Sequence, residues 1–167
     1  MNPHPSQDDH MRLVGMVSHN AALAELAMFE AFVLLSGCTP EVAEAIFYTL
    51  DSVPAKATML RRVVSRVGGP TEMRALVDKI LKGVDTSNQQ RQFLAHALLV
   101  PKAELPEGPF HLHRPRAGES TPLTAQRMTE LRVAAVEGAR TALNSYLELC
   151  KARRVRPSLG PLDEFLA

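Results

Sequence analysis

"AALAELAMFEAFVLL", residues 21–35, decides the fold. Wound as an α-helix, it carries apolar side chains on nearly every side, and only Glu25 and Glu30 interrupt it. A helix that is apolar all round has to be covered all round, so it lies at the centre of a bundle or is shared with a partner chain. The two glutamates stand five positions apart and therefore leave on different sides. The run is too short and too interrupted for a transmembrane span, so no membrane association is expected.

The same helix starts upstream, with Asp8 or Asp9 as cap, and runs to about Ser36, where Gly37 ends it. In "CTPEVAEAIFYTL", Thr39 caps a second helix with Pro40 at its first position. Ser52 caps a third, "VPAKATMLRRVVSRV", which "GGP" at 68–70 ends. From Thr71 a stripe of positions 73, 77, 80, 84, 87, 91, 94 and 98 continues to about Leu99. Gly83 interrupts it, leaving either two helices or one kinked helix, and Pro101 ends the region. Residues 101–121, rich in Pro and Gly, form an irregular loop or a short hairpin around Phe110 to Arg114. Thr121 with Pro122, or Thr124, then opens a last long helix to about Ala152. The expected fold class is an all-α bundle of four or five helices over 9–152, with tails at 1–8 and 153–167.

Composition agrees with one domain. Among 167 residues, 46% are hydrophobic, enough to bury a core without a disulfide or metal staple. Cys38 and Cys150 are far apart and outside any CxxC spacing, so neither a zinc site nor a disulfide framework is expected, and a reducing cytoplasm fits best. The start, "MNPHPSQDD", has no secretory signature. Net charge is only +1, but its distribution is uneven. Residues 1–50 carry six acidic groups against Arg12 alone, whereas residues 51–100 carry eight basic groups against four acidic. Arg61, Arg62, Arg66 and the "KARRVRP" cluster at 151–157 read most simply as solvated helix faces, the latter complementing a helix dipole. Phe29, Phe32, Phe47, Tyr48, Phe93 and Tyr146 read as core.

One stretch carries chemistry. "NQQRQFLAHALLVP", residues 88–101, sets Arg91 and His96 into an otherwise apolar helical run, and both side chains are costly to bury without partners. A His that titrates near neutral pH takes a proton from a ribose 2′-hydroxyl or gives one to a leaving oxygen. An Arg stabilises the negative charge that builds on the phosphorus oxygens meanwhile. Yet five positions on an ideal helix separate two side chains by roughly 140°. Convergence needs the long Arg, an opened helix end near His96, or a second subunit; Phe93, Leu94, Ala97 and Leu98 with the first helix offer a dimer surface. Otherwise Arg91 pairs with Glu30 or another carboxylate and His96 makes one hydrogen bond inside the bundle. "HLH", His111 and His113, has strand alternation, but without acidic or cysteine partners a metal site is not expected. With Arg114 and Arg116 it forms a basic loop suited to phosphates.

The order of elements over roughly Leu13 to Cys150, with Arg91, four residues and then His96, resembles the HEPN superfamily, whose motif is commonly R-N-x-x-x-H. Gln92 stands where the motif often has Asn, and Ala97 where many relatives have Gly. The resemblance implies a HEPN-like helical domain and a metal-independent RNA endonuclease needing no cofactor, of the kind found among toxins and defence components. It further implies a homodimer that gathers Arg91 and His96 near the two-fold, with Gln92 helping to orient them; of the chain's own residues, Glu30 is read as orienting Arg91, and His111, His113, Arg114 and Arg116 as touching RNA phosphates or as solvated. The alternative that it also implies is a non-catalytic dimerisation or partner-binding module.

Overall fold

Ser6, rather than Asp8 or Asp9, starts the first helix. Its hydroxyl accepts from the Asp9 amide while the Asp9 carboxylate accepts from the Ser6 amide, so two otherwise orphaned donors are satisfied reciprocally. Asp9 also holds its proton more weakly than usual, because that amide favours the carboxylate. The computed structural model describes residues 5–68, 70–101, 110–114 and 118–158. The expected tail over 1–8 is thus helical from Gln7, and residues 1–4 lie outside the described residues.

The elements follow one another as α1 (Gln7–Ser36), α2 (Pro40–Phe47), α3 (Val53–Arg66), α4 (Thr71–Ala95), β1 (Leu98–Pro101), β2 (Phe110–Arg114), β3 (Glu119–Pro122) and α5 (Ala125–Arg153). Ser52 and Thr124 cap α3 and α5 by accepting from the amides of Ala55 and Arg127. Gly37 ends α1 with a left-handed φ of 69° that its missing side chain permits. The chain is therefore a helical bundle, as its periodicity predicts, with a small sheet added at one end.

Two apolar clusters fix the arrangement. Leu23 to Leu35 of α1 meet Met73 to Val84 of α4 and Ala139 to Cys150 of α5, with Phe47 and Leu60 from α2 and α3. Leu13 and Val17 meet Leu94, Leu131 and Ala135, and here Leu112 and Leu123 of the sheet region close the bundle. Hence α1 and α5 run together and α4 runs against both. α1 is long and apolar enough to cross a membrane, contrary to the expectation from its core alone; half of its most apolar window is buried inside the bundle.

The region after Thr71 departs from expectation in two ways. α4 is one helix, which Gly83 does not interrupt, and it stops at Ala95 instead of Leu99. Residues 98–101 instead pair antiparallel with β2, which pairs with β3 on its other edge. Pro101 and Pro122 lie at the ends of the two outer strands, where a missing amide interrupts no central ladder. Of the tail expected from 153, residues 159–167 lie outside the described residues; Arg154 turns the chain with φ 54°, and Ser158 bonds both the buried Tyr146 hydroxyl (2.9 Å) and Glu30. Burial pushes the Tyr146 hydroxyl up to about 12 and raises the neighbouring Cys150 thiol.

Gly83 is where α4 and α5 nearly touch. A Cβ built there would lie 2.5 Å from the Gly138 carbonyl oxygen and 2.7 Å from the Ala142 nitrogen. One at Gly138 would lie 2.4 Å from Ser87 Oγ and 2.7 Å from the Gly83 oxygen. At this crossing the Ser87 hydroxyl donates to the Ala135 carbonyl at 2.8 Å, so its burial leaves no unmet polar group.

A second lock joins α1, α2 and α3. Lys56, its side chain only 9% exposed, pairs with Glu25 and lies 4.8 Å from the ring centroids of both Phe47 and Tyr48. Glu25 thus serves Lys56 and does not orient Arg91. Tyr48, expected in the core, is exposed and covers this corner from outside.

Gly83→Ala and Gly138→Ala should each lower stability by about 1–3 kcal/mol, since an overpacked backbone contact outweighs the roughly 1 kcal/mol by which alanine favours a helix. Urea unfolding measures it; an unchanged or raised midpoint in both variants would refute the close crossing. Glu25→Gln should cost about 1–3 kcal/mol by leaving the Lys56 ammonium poorly compensated, and adding Lys56→Met should recover part of that loss. Strictly additive losses in the same unfolding assay would show that the two groups do not interact.

Candidate active site

α4 carries Arg91 and His96 to the end of the bundle that the sheet closes. Both side chains are exposed, so neither is consumed by the core. Arg91 donates to Asn88 Oδ1 from Nε at 3.2 Å and from Nη2 at 2.9 Å. Asn88 is itself buried, which gives the guanidinium a fixed anchor one turn back along its own helix. The remaining guanidinium N–H groups are not used in this contact.

His96 is the residue that ends α4. Its backbone, φ −102° and ψ 1°, leaves the helical region, while its amide still donates to the Gln92 carbonyl at 3.1 Å. The chain thus opens at His96, one of the conditions on which convergence of the two side chains depends. Through Ala95 the helix is continuous, so Arg91 and His96 depart roughly 140° apart and about 7.5 Å apart along the axis. No hydrogen bond joins them among the described residues.

The other expected participants are only partly brought here. Glu30 lies near the far end of α1 and bonds Ser158, about 20 Å along the bundle from the level of Arg91, so it orients neither Arg91 nor His96. Gln92 is exposed and lines a groove between α3 and α4. His111 and His113 share one sheet face, opposite Phe110 and Leu112, which turn into the bundle. His111 is buried, with Nδ1 3.3 Å from Ser120 Oγ and, among the described residues, no hydrogen-bond partner for Nε2, so it is not the exposed phosphate contact expected. His113 is half-buried. Arg114 ends β2 opposite Glu119, and Arg116 lies outside the described residues. Among the described residues no group of three or more His, Cys, Asp or Glu is gathered as for a metal ion.

Two residues join this end of the bundle that the sequence reading did not single out. Asn88 is one, and its position three before Arg91 on a helix is a usable signal. Arg127, in the first turn of α5, is the other: its guanidinium lies 5.3 Å from the Phe93 ring centroid and donates to Glu130 at 3.0 Å. That bond lowers the Glu130 carboxyl below its usual range. The contact links the start of α5 and the end of α4, residues 34 positions apart in sequence, a distance over which no local pattern points from one to the other.

His10 lies buried in the first turns of α1 at the same end, with Nδ1 unpartnered among the described residues, and burial lowers its pKa below 6.5. Above pH 6.5 both folded and unfolded chains hold it neutral. As pH falls through 6.5 the unfolded chain takes up the proton first, so stability declines until the depressed folded value is reached. Urea midpoints should therefore drop on acidification below pH 6.5, and His10→Leu should flatten that slope; an equal slope in the variant would acquit His10.

Compared with protein-family models, curated proteins and solved structures, the chain matches none of them.

Proposed function

We propose that the chain is a HEPN-like helical protein that cleaves RNA without a metal ion, using Arg91 and His96 of two copies gathered at a two-fold. The observation that carries this reading is the pairing of an exposed His at the opened end of α4 with an exposed Arg held at two nitrogens by buried Asn88. A guanidinium so held loses little freedom when it meets an anion, which is what stabilising a transition state requires.

The reaction follows from those groups. Neutral His96 of the second copy accepts the proton of a ribose 2′-hydroxyl, and the 2′ oxygen attacks the adjacent phosphorus. Arg91 donates to the phosphoryl oxygens as their charge grows. The bond to the 5′ oxygen breaks, and that oxygen takes a proton from water, which the imidazolium then restores, leaving a 2′,3′-cyclic phosphate and a 5′-hydroxyl. The 140° divergence within one chain gives the second copy its purpose, since it brings a His to the phosphate that Arg91 holds.

A second reading, a non-catalytic module that dimerises or binds a partner, is favoured by the same divergence: in a lone chain Arg91 and His96 do not share a hydrogen bond. Purified protein incubated with single-stranded RNA and EDTA separates the two. Cleavage should occur and should fall by about 10²–10⁴ in His96→Ala and by a comparable factor in Arg91→Ala. Mixing the two inactive variants should restore part of the activity through hybrid dimers. Absence of cleavage on every RNA, or cleavage indifferent to both substitutions, leaves the binding module as the reading.

A further inference from the structure

The groove between α3 and α4 ends at the residue that holds Arg91. It encloses about 650 Å³, and Thr58, Arg61, Lys82, Asn88, Gln89 and Gln92 are among the residues that line it. Thr58 and Arg61 also line an adjoining depression on α3 with Arg62, Ser65 and Arg66. Since α3 runs against α4, the two make one path, with the arginines at its far end and Asn88 and Gln92 at the Arg91 end. From Asp78 to Gln92 its α4 wall is about 21 Å long.

Its chemistry is that of a phosphodiester backbone site. Two carboxylates, Asp78 and Asp85, also line it, but both are occupied: Asp78 lies 3.6 Å from Arg61, and Asp85 accepts from Gln89 at 2.8 Å. Arg61 and Lys82 balance those two charges, so Arg62 and Arg66 give the path a net positive charge. The Thr58 and Ser65 hydroxyls already donate to backbone carbonyls, but the side-chain amides of Gln89 and Gln92 keep N–H groups that suit phosphate oxygens without choosing among bases, Gln89 having given one to Asp85. No aromatic ring is among the lining residues, which leaves the bases without a stacking platform and the backbone as the part recognised.

We infer that this path is the binding track for single-stranded RNA, seating its phosphates on Arg62, Arg66, Lys82 and the amides of Gln89 and Gln92 and delivering the strand to Arg91. The inference rests on RNA being the substrate of the Arg91 end. It goes further in assigning the strand to one face of the molecule, away from the sheet and from the basic cluster at 151–156.

Fluorescence anisotropy of a labelled RNA of about 12 nucleotides tests it, in a His96→Ala background that leaves the strand uncut. Arg62→Glu with Arg66→Glu should weaken binding about tenfold or more, and should reduce the slope of log affinity against log salt by about 1.4. Arg153→Glu with Arg156→Glu should change binding little. Circular dichroism checks that each variant is folded; these four side chains are exposed, so folding should persist. An all-deoxy strand should bind the same track, because the contacts are to phosphate. If the groove variants bind like the parent, or the 153/156 pair carries the loss instead, the track is overturned while the cleavage assay still judges the nuclease. Groove-dependent binding without cleavage by the unmutated chain would keep the track and reject the nuclease.

Discussion

The near-contact of Gly83 and Gly138 is the constraint on which the rest of the structure depends. Where two helices approach with no side chain between them, neither can rotate or slide without a backbone clash, so the contact fixes register as well as distance. One turn further along, Ser87 donates to the Ala135 carbonyl and allows that register one orientation. With Ser87 turned toward α5, Asn88 and Gln92 line the α3 groove, and Arg91 stays at the surface with its guanidinium on Asn88. The outward chemistry of α4 is thus set by the smallest residues on its inward face.

The two ends of the bundle are held by different means. Along its side Lys56, Glu25, Phe47 and Tyr48 form a polar lock under aromatic cover, and at one end Ser158 is drawn down onto Tyr146 and Glu30. At the other, a three-stranded sheet covers Leu13, Leu94 and Leu131, and polar atoms of His10, His111 and Arg127 are buried without partners among the described residues. Such atoms cost stability, which makes this the less tightly satisfied end. Arg91 and His96 lie there, next to a helix terminus that the sheet only partly closes.

Much of this was legible in the residues. The all-round apolarity of 21–35 places α1 at the centre, and Gly37, Ser52 and Thr124 mark helix ends by chemistry that needs no tertiary partner. Ser6 was eclipsed by Asp8 and Asp9 because acidic residues suit the first turn as well as the cap; only the reciprocal pair with Asp9 distinguishes them. The end of α4 was hidden because the stripe 73 to 94 continues to 98 by coincidence, and "LLVP" is too short for alternation to show. Gly83 looked like an interruption because a glycine's local cost is visible in sequence, whereas the facing Gly138 is not. Charge alone pairs Glu30 with Arg91, whereas its partner, Ser158, is 128 residues away.

Arg91 and His96 show how far residue identity reaches and where geometry takes over. Their types and spacing name a chemistry, but a regular helix through Ala95 sets them on diverging directions. A side chain on a rigid helix reaches a shared atom only if the helix ends or another molecule supplies the missing group. Here the helix ends at His96, which frees the imidazole from the helical path, while Asn88 holds the guanidinium close to α4. One member is thus anchored and the other sits where the backbone can adjust. That asymmetry suits the site proposed above between two copies, in which the anchored Arg would set where the phosphate lies and the His at the open end would approach it.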